Sequence, residues 1–259
     1  MDTDTSYDWS DPRTFFLKPE DWGDTCELDS DDAHHLAHVL RLQAGTDVRL
    51  LDGCGREGVF RIEHISRRSV TLARIKEWMH AKPVSGVILA AAWTKAARRS
   101  WIFEKAVEFG AAGLWFWQAE RSQFPVPQEP KETWHAQLVA GLKQCHNPWL
   151  PVLRTLPGGV TELVSAGQHE GFSSCHVLLE NTLGDSPLLT RDKLANPGTT
   201  LCVIGPEGGF APREAELLKT AGFAPFSLGE RVLRWETAAV LCLGLHWWAG
   251  GQPVGGADR

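Results

Sequence analysis

From Gly86 to Trp248, apolar runs of strand length alternate with stretches of helical periodicity, and this alternation limits the possible folds more than any other feature of the chain. A strand, a helix and a second strand return the backbone to a parallel course. Repeating that unit builds an α/β domain around a mainly parallel sheet. Val87–Trp93, Leu114–Trp117, Cys175–Glu180, Thr200–Ile204 and Phe226–Leu228 read as strands. Helices are expected over Arg99–Phe109, with Ile102, Ala106 and Phe109 on one face and Gly110 as the stop, and over Thr133–Cys145, Pro212–Ala221 and Glu236–Trp248. The last helix is apolar on nearly every side. That pattern demands burial all round and favours a subunit interface.

Ahead of Pro83 the texture differs. Phe15-Phe16-Leu17 is a short strand, Ser30 caps a helix running from Asp31 to about Arg41, and Asp47–Leu51, Gly58–Ile65 and Ser69–Ile75 are strands separated by turn residues. Strands this short and close suggest a small β-barrel. The expected organisation is a tail over 1–13, a β domain over 14–80, an α/β domain over 84–249 and a flexible Gly-rich tail over 250–259. The start is polar and acidic, unlike a signal peptide.

Composition narrows the function. No apolar run reaches bilayer length, and the six cysteines are scattered without zinc or CxxC spacing, as in a reduced cytoplasmic protein. Cys175, Cys202 and Cys242 sit in apolar runs, as buried thiols do. Of His34, His35 and His38, positions 34 and 38 share one helical face and could bind a metal, but no third ligand or motif supports this, so no metal is expected. The net charge of −6 is unfavourable for binding RNA over the whole surface. Basic residues are nevertheless grouped: Arg61, Arg67, Arg68, Arg74 and Lys76 in one cluster, Lys95, Arg98, Arg99 and Lys105 in another. Trp115, Trp247 and Trp248 read as core.

Two loops carry chemistry. Ile204-Gly205-Pro206-Glu207-Gly208-Gly209-Phe210 takes a buried strand through a Gly-rich turn into a helix. It is neither a dinucleotide fingerprint nor a P-loop. Ser227-Leu228-Gly229-Glu230-Arg231-Val232-Leu233-Arg234-Trp235-Glu236-Thr237-Ala238 repeats the arrangement, with Glu236 and Thr237 at a helix start. Ligands bind at the carboxyl ends of strands in α/β sheets, and glycine lets backbone approach them. The two loops are therefore expected to wall one pocket.

GPEGGF followed by SLGxRxLRxETA resembles the signature of the ribosomal RNA small subunit methyltransferase E family, of the SPOUT class. His34-His35-Leu36, Val39-Leu40-Arg41 and Asp52-Gly53 resemble its N-terminal domain. Lys95, Glu104-Lys105, Glu108-Phe109-Gly110 and Glu120-Arg121-Ser122 resemble its central segments. The resemblance runs from about Phe15 to Trp248. It implies a trefoil-knotted SPOUT α/β methyltransferase domain preceded by a PUA-like β-barrel that touches RNA, and a homodimer. It further implies an S-adenosylmethionine-dependent enzyme methylating N3 of a uridine in 16S ribosomal RNA within the small subunit. Carried over, the cofactor pocket is Leu179, Ile204, Gly205, Glu207, Gly209, Leu228, Gly229 and Leu233. Arg234 and Glu207 are the expected catalytic residues, and Arg41, Arg61, Arg67, Arg68, Lys95 and Arg121 the expected RNA contacts.

The chain departs from the family pattern in several places. His146-Asn147 replaces a Gly-Arg pair, Ala211 replaces a Ser/Thr helix cap worth about 1 kcal/mol, Glu230 adds an acid, Trp235 is bulky, and Thr94–Ser100 is altered. The alternatives are another SPOUT enzyme with a different RNA target, or an RNA-binding factor that has lost catalysis.

Overall fold

The structure, a computed structural model, describes residues 13–28, 30–66, 69–179, 186–190, 194 and 197–250. The Ser30 side chain, Arg67, Arg68, Glu180 and both expected tails beyond Arg13 and Gly250 lie outside the described residues. The chain divides into two compact units. One comprises the chain up to Lys82 together with Leu142–Trp149, and the other Pro83–Gly141 together with the chain from Leu150.

In the first unit, β1 (Thr14–Phe16), β2 (Thr25–Leu28), β3 (Asp47–Leu51), β4 (Arg56–Ile65) and β5 (Val70–Met79) form a curled sheet in the order β1-β3-β4-β5-β2. β1 runs parallel to β3, and the other pairs are antiparallel. Register shifts between Val59 and Phe60 and between Ile62 and His64 bend the long β4–β5 ribbon. Its inner face buries Val48, Leu50, Phe60, Ile62 and Leu72 together with Ala33 and Leu36 of the helix. That helix, α1 (Ser30–His34), is shorter than expected. It widens into a π turn over His35–Val39, and Arg41 adopts a left-handed φ of 54°. The segment Leu142–Trp149 explains one glycine: a Cβ on Gly55 would lie 2.3 Å from the Trp149 ring. His146 stands at φ 57°, a conformation that glycine adopts freely, and its Nδ1 lies 2.9 Å from Thr14 Oγ1.

The second unit contains β6 (Ser85–Ala92), α2 (Ala96–Glu108), β7 (Gly113–Trp117), β8 (Val152–Leu156), α4 (Gly159–His169), β9 (Ser174–Leu178), β10 (Gly198–Ile204), α5 (Pro212–Thr220), β11 (Ala224–Phe226) and α6 (Trp235–Ala249). The helix α3 spans Glu132–Cys145. Six strands in the order β11-β9-β10-β6-β7-β8 are all parallel. Ala90, Trp115, Val177, Leu201 and Val203 pack with Leu163 of α4, Leu218 of α5 and Phe223. α2 and α6 pack on each other, and α6 also packs on β6 and β10. Phe103 of α2 meets Phe116 of β7 with ring centroids 5.7 Å apart.

Several expectations change. β8 and α4 were not legible: Pro151 and Pro157 bracket an edge strand, and α4 begins at a glycine with φ 74° and no side-chain cap. β11 ends at Phe226, two residues before the expected Leu228. α6 is not buried all round within the chain. Ala238, Ala239, Cys242, Leu243 and His246 face inward, whereas Leu241, Trp247 and Trp248 are 37%, 41% and 56% exposed. Trp247 and Trp248 are therefore not core, because helical spacing turns them away from the sheet. Trp115 is fully buried. Cys202 and Cys242 are buried and free, and burial pushes the Cys242 thiol up to about 12. Among the described residues, no helix is long and apolar enough to cross a membrane.

Candidate active site

An all-parallel sheet brings the carboxyl ends of β9, β10 and β11 to one edge, where ligands bind in such folds. There β10 delivers Ile204 into a tight turn in which the Gly209 amide donates to the Pro206 carbonyl at 2.8 Å. Gly209 has φ 70°, which a side chain tolerates poorly. Phe210 folds back over Gly205, where a Cβ would lie 2.8 Å from its ring. Phe210 stacks on Trp117 at 5.9 Å and 18°, and the Trp117 indole N–H donates to the Ile204 carbonyl at 3.2 Å. The loop is thus clamped from beneath by aromatic packing.

The second loop begins at buried Ser227. Its hydroxyl donates to the Gly229 carbonyl at 2.9 Å and accepts from the Gly229 amide at 3.1 Å. Gly229 has φ 125°, so the turn depends on glycine. The Leu179 amide donates to the Phe226 carbonyl at 3.1 Å, tying the end of β9 alongside. Together the two loops line a cavity of about 860 Å³, within the range of small-molecule sites. Leu179, Ile204, Gly205, Glu207, Gly209, Leu228, Gly229 and Leu233 all line it, as do Arg234 and Arg121. Arg234 is the exposed N-cap residue of α6, and its carbonyl accepts from the Ala238 amide at 2.9 Å. Three guanidinium groups (Arg121, Arg231, Arg234) and two carboxylates (Glu207, Glu230) share this wall. The site carries a local cationic excess on an acidic chain.

The remaining expected RNA contacts lie elsewhere. Arg61 makes a bidentate pair with Asp47 at 2.8 and 3.0 Å. Arg41 and Lys95 are exposed, and Lys95 is the N-cap residue of α2. In the second basic cluster, Arg99 stacks 3.5 Å over Trp93, and burial lowers its pKa to about 10.

Sequence reasoning overlooked Glu214. Its side chain is buried; one oxygen accepts from the Ala211 amide and the other from the Glu120 amide, both at 2.8 Å. Ala211 has no side-chain oxygen, so only the reciprocal half of a capping box remains. The expected loss of a cap is therefore partly offset. Glu214 stands three residues after the N-cap, which was the available signal. One oxygen of Glu236 is also buried without a hydrogen-bond partner among the described residues.

Comparison with known proteins agrees with this architecture. Residues 80–247 match the RNA methyltransferase domain family, and residues 28–73 match the RNA methyltransferase PUA domain family. The chain is 30% identical over 234 residues to the ribosomal RNA small subunit methyltransferase E of Mycobacterium bovis, covering 86% of each chain. It is 31% identical to that of a Synechocystis species, covering 85% of this chain and 71% of the relative. A Legionella pneumophila structure with the cofactor SAM bound superposes with a TM-score of 0.81 at 27% identity, covering 93% of this chain and 99% of that one. The Neisseria gonorrhoeae methyltransferase E bound to S-adenosyl methionine shares the fold at 22% identity and a TM-score of 0.72, covering 90% of this chain and 96% of that one. Matched over 86% of its length by a relative at 30% identity, and over residues 80–247 by the domain family, the chain belongs to the ribosomal RNA small subunit methyltransferase E family and is an RNA methyltransferase.

Proposed function

We propose that this enzyme uses S-adenosylmethionine to methylate N3 of a uridine in 16S ribosomal RNA within the small subunit. The observation that carries the reading is the single cavity built from the two glycine-bearing loops. Its features suit the cofactor: Leu179, Leu228 and Leu233 offer apolar surface to an adenosyl group, and the glycine turns expose backbone polar groups to hydrogen-bond it. When bound there, S-adenosylmethionine would supply the electrophilic methyl group, and the protein mainly orients the reactants. The accompanying architecture is a trefoil-knotted SPOUT domain over 84–249, with the first unit acting as a PUA-like RNA-binding barrel. The apolar face of α6 bearing Leu241, Trp247 and Trp248 supports a homodimer.

A uridine N3 lies on the pairing edge, so the base must be unpaired or flipped into the cavity. N3 must also lose its proton, which leaves negative charge on the ring. Glu207, exposed on the cavity wall, orients the base edge or accepts that proton. Arg234, exposed on the facing loop, stabilises the charge. Arg41 and Lys95 are assigned to the RNA backbone. Arg234→Ala should lower turnover by about tenfold or more while cofactor affinity is retained. Methylation at the wild-type rate would remove Arg234 from the mechanism. The reaction itself is tested by incubating the protein with unmethylated small subunits and S-adenosylmethionine, then digesting the RNA for mass spectrometry. The reading requires 3-methyluridine from 16S RNA. A methyl group on ribose or on another base would overturn it.

A further inference from the structure

We infer that Arg121 recognises the amino-acid carboxylate of the cofactor and so selects the intact molecule over its adenosyl portion. The inference rests on the cofactor reading above. Arg121 is presented from a fixed base. The Ser122 amide donates to the Ala119 carbonyl at 3.0 Å, and the Glu120 amide is held by buried Glu214. The Arg121 stem packs along Gly208, where a Cβ would lie 3.6 Å from its Cβ and Cδ. Its Nη1 donates to the Gly208 carbonyl at 2.7 Å. A guanidinium carries five N–H donors. One is committed to the glycine loop, and the side chain remains exposed on the cavity wall. A guanidinium held along one edge presents the other as a fixed planar fork, the geometry that matches a carboxylate.

The cavity of about 860 Å³ has room for the whole cofactor, and its anionic carboxylate is best matched by a cationic group held in place on the wall. Arg231 and Arg234 stand on the opposite loop, and Arg234 is assigned to the base. Arg121 alone of the three is anchored to the Gly208 turn.

The test compares S-adenosylhomocysteine, which keeps the amino-acid part, with 5′-methylthioadenosine, which lacks it. Both are titrated calorimetrically into wild type, Arg121→Gln and Arg121→Met. Glutamine removes the charge and keeps an N–H donor on a shorter stem beside Gly208, whereas methionine keeps no donor. Arg121→Gln should weaken S-adenosylhomocysteine binding by about tenfold or more and leave 5′-methylthioadenosine within about twofold. Arg121→Met, which also loses the anchor, should weaken both. Equal weakening of both ligands by Arg121→Gln would reduce Arg121 to a support for the loop. Unchanged binding of both, with weaker affinity for RNA, would assign it to a phosphate; either outcome overturns the inference. Failure of the wild type to bind S-adenosylhomocysteine would instead overturn the cofactor reading.

Discussion

Glu214→Ala is expected to lower the free energy of unfolding by about 2–4 kcal/mol, because it strips acceptors from two buried or half-buried backbone amides. The carboxylate joins the Gly205–Ala211 loop, through the Ala211 amide, to the turn bearing Glu120 and Arg121. Its loss should therefore loosen the cavity as well as the fold, and cofactor affinity should fall with stability. Glu214→Gln keeps one carbonyl oxygen and should recover part of the loss. Urea denaturation of the three proteins provides the measurement. A change below about 0.5 kcal/mol for the alanine variant, the size of an ordinary surface substitution, would contradict the bridging role.

His246 should make the fold acid-sensitive. It is buried in α6, with Nδ1 2.9 Å from the Cys242 carbonyl and Nε2 3.6 Å from the Cys202 sulfur. Burial, opposed by the Cys242 hydrogen bond and reinforced by His176, pushes its pKa from the usual 6.5 to about 4. The folded state thus holds the ring neutral, whereas the unfolded chain takes up a proton near the ordinary value. The stability tied to this neutral ring is complete above pH 6.5 and drains away as pH falls toward 4. A shift of this size corresponds to roughly 3 kcal/mol at most. His246→Leu should flatten that acid limb in urea titrations run from neutral pH to pH 4. Parallel pH profiles for wild type and variant would show that His246 does not control it.

The strand–turn–helix order around the site was legible because the apolar runs Thr200–Ile204 and Phe226–Leu228 each lead into a glycine, and chain direction follows from an α/β order. What stayed hidden depended on neighbours in space. Val152–Leu156 gains its strand from pairing with Gly113–Trp117, against the signal of its flanking prolines. Gly158-Gly159 offers no side-chain cap, yet α4 starts at Gly159 and buries Leu163 and Ala166. The sequence of α6 records total hydrophobicity but not which side meets the sheet, so Trp247 and Trp248 were misplaced. The Arg61–Asp47 ion pair across the β3–β4 pair likewise has no local signature in the sequence. Within the site, the glycine turns are readable from local pattern, whereas the lining leucines followed only from the family resemblance. The Arg121–Gly208 contact joins residues far apart in the chain and has no local signature.

The central claim is that the Gly205–Phe210 and Ser227–Arg234 loops form one receptor for S-adenosylmethionine. Calorimetric titration of that molecule into wild type and Gly229→Val tests it most directly, since valine is strained at a φ of 125°. One saturable site per chain in the wild type, weakened at least about tenfold in the folded variant, is the predicted result. No binding to the wild type, or equal affinity in both proteins, would contradict it.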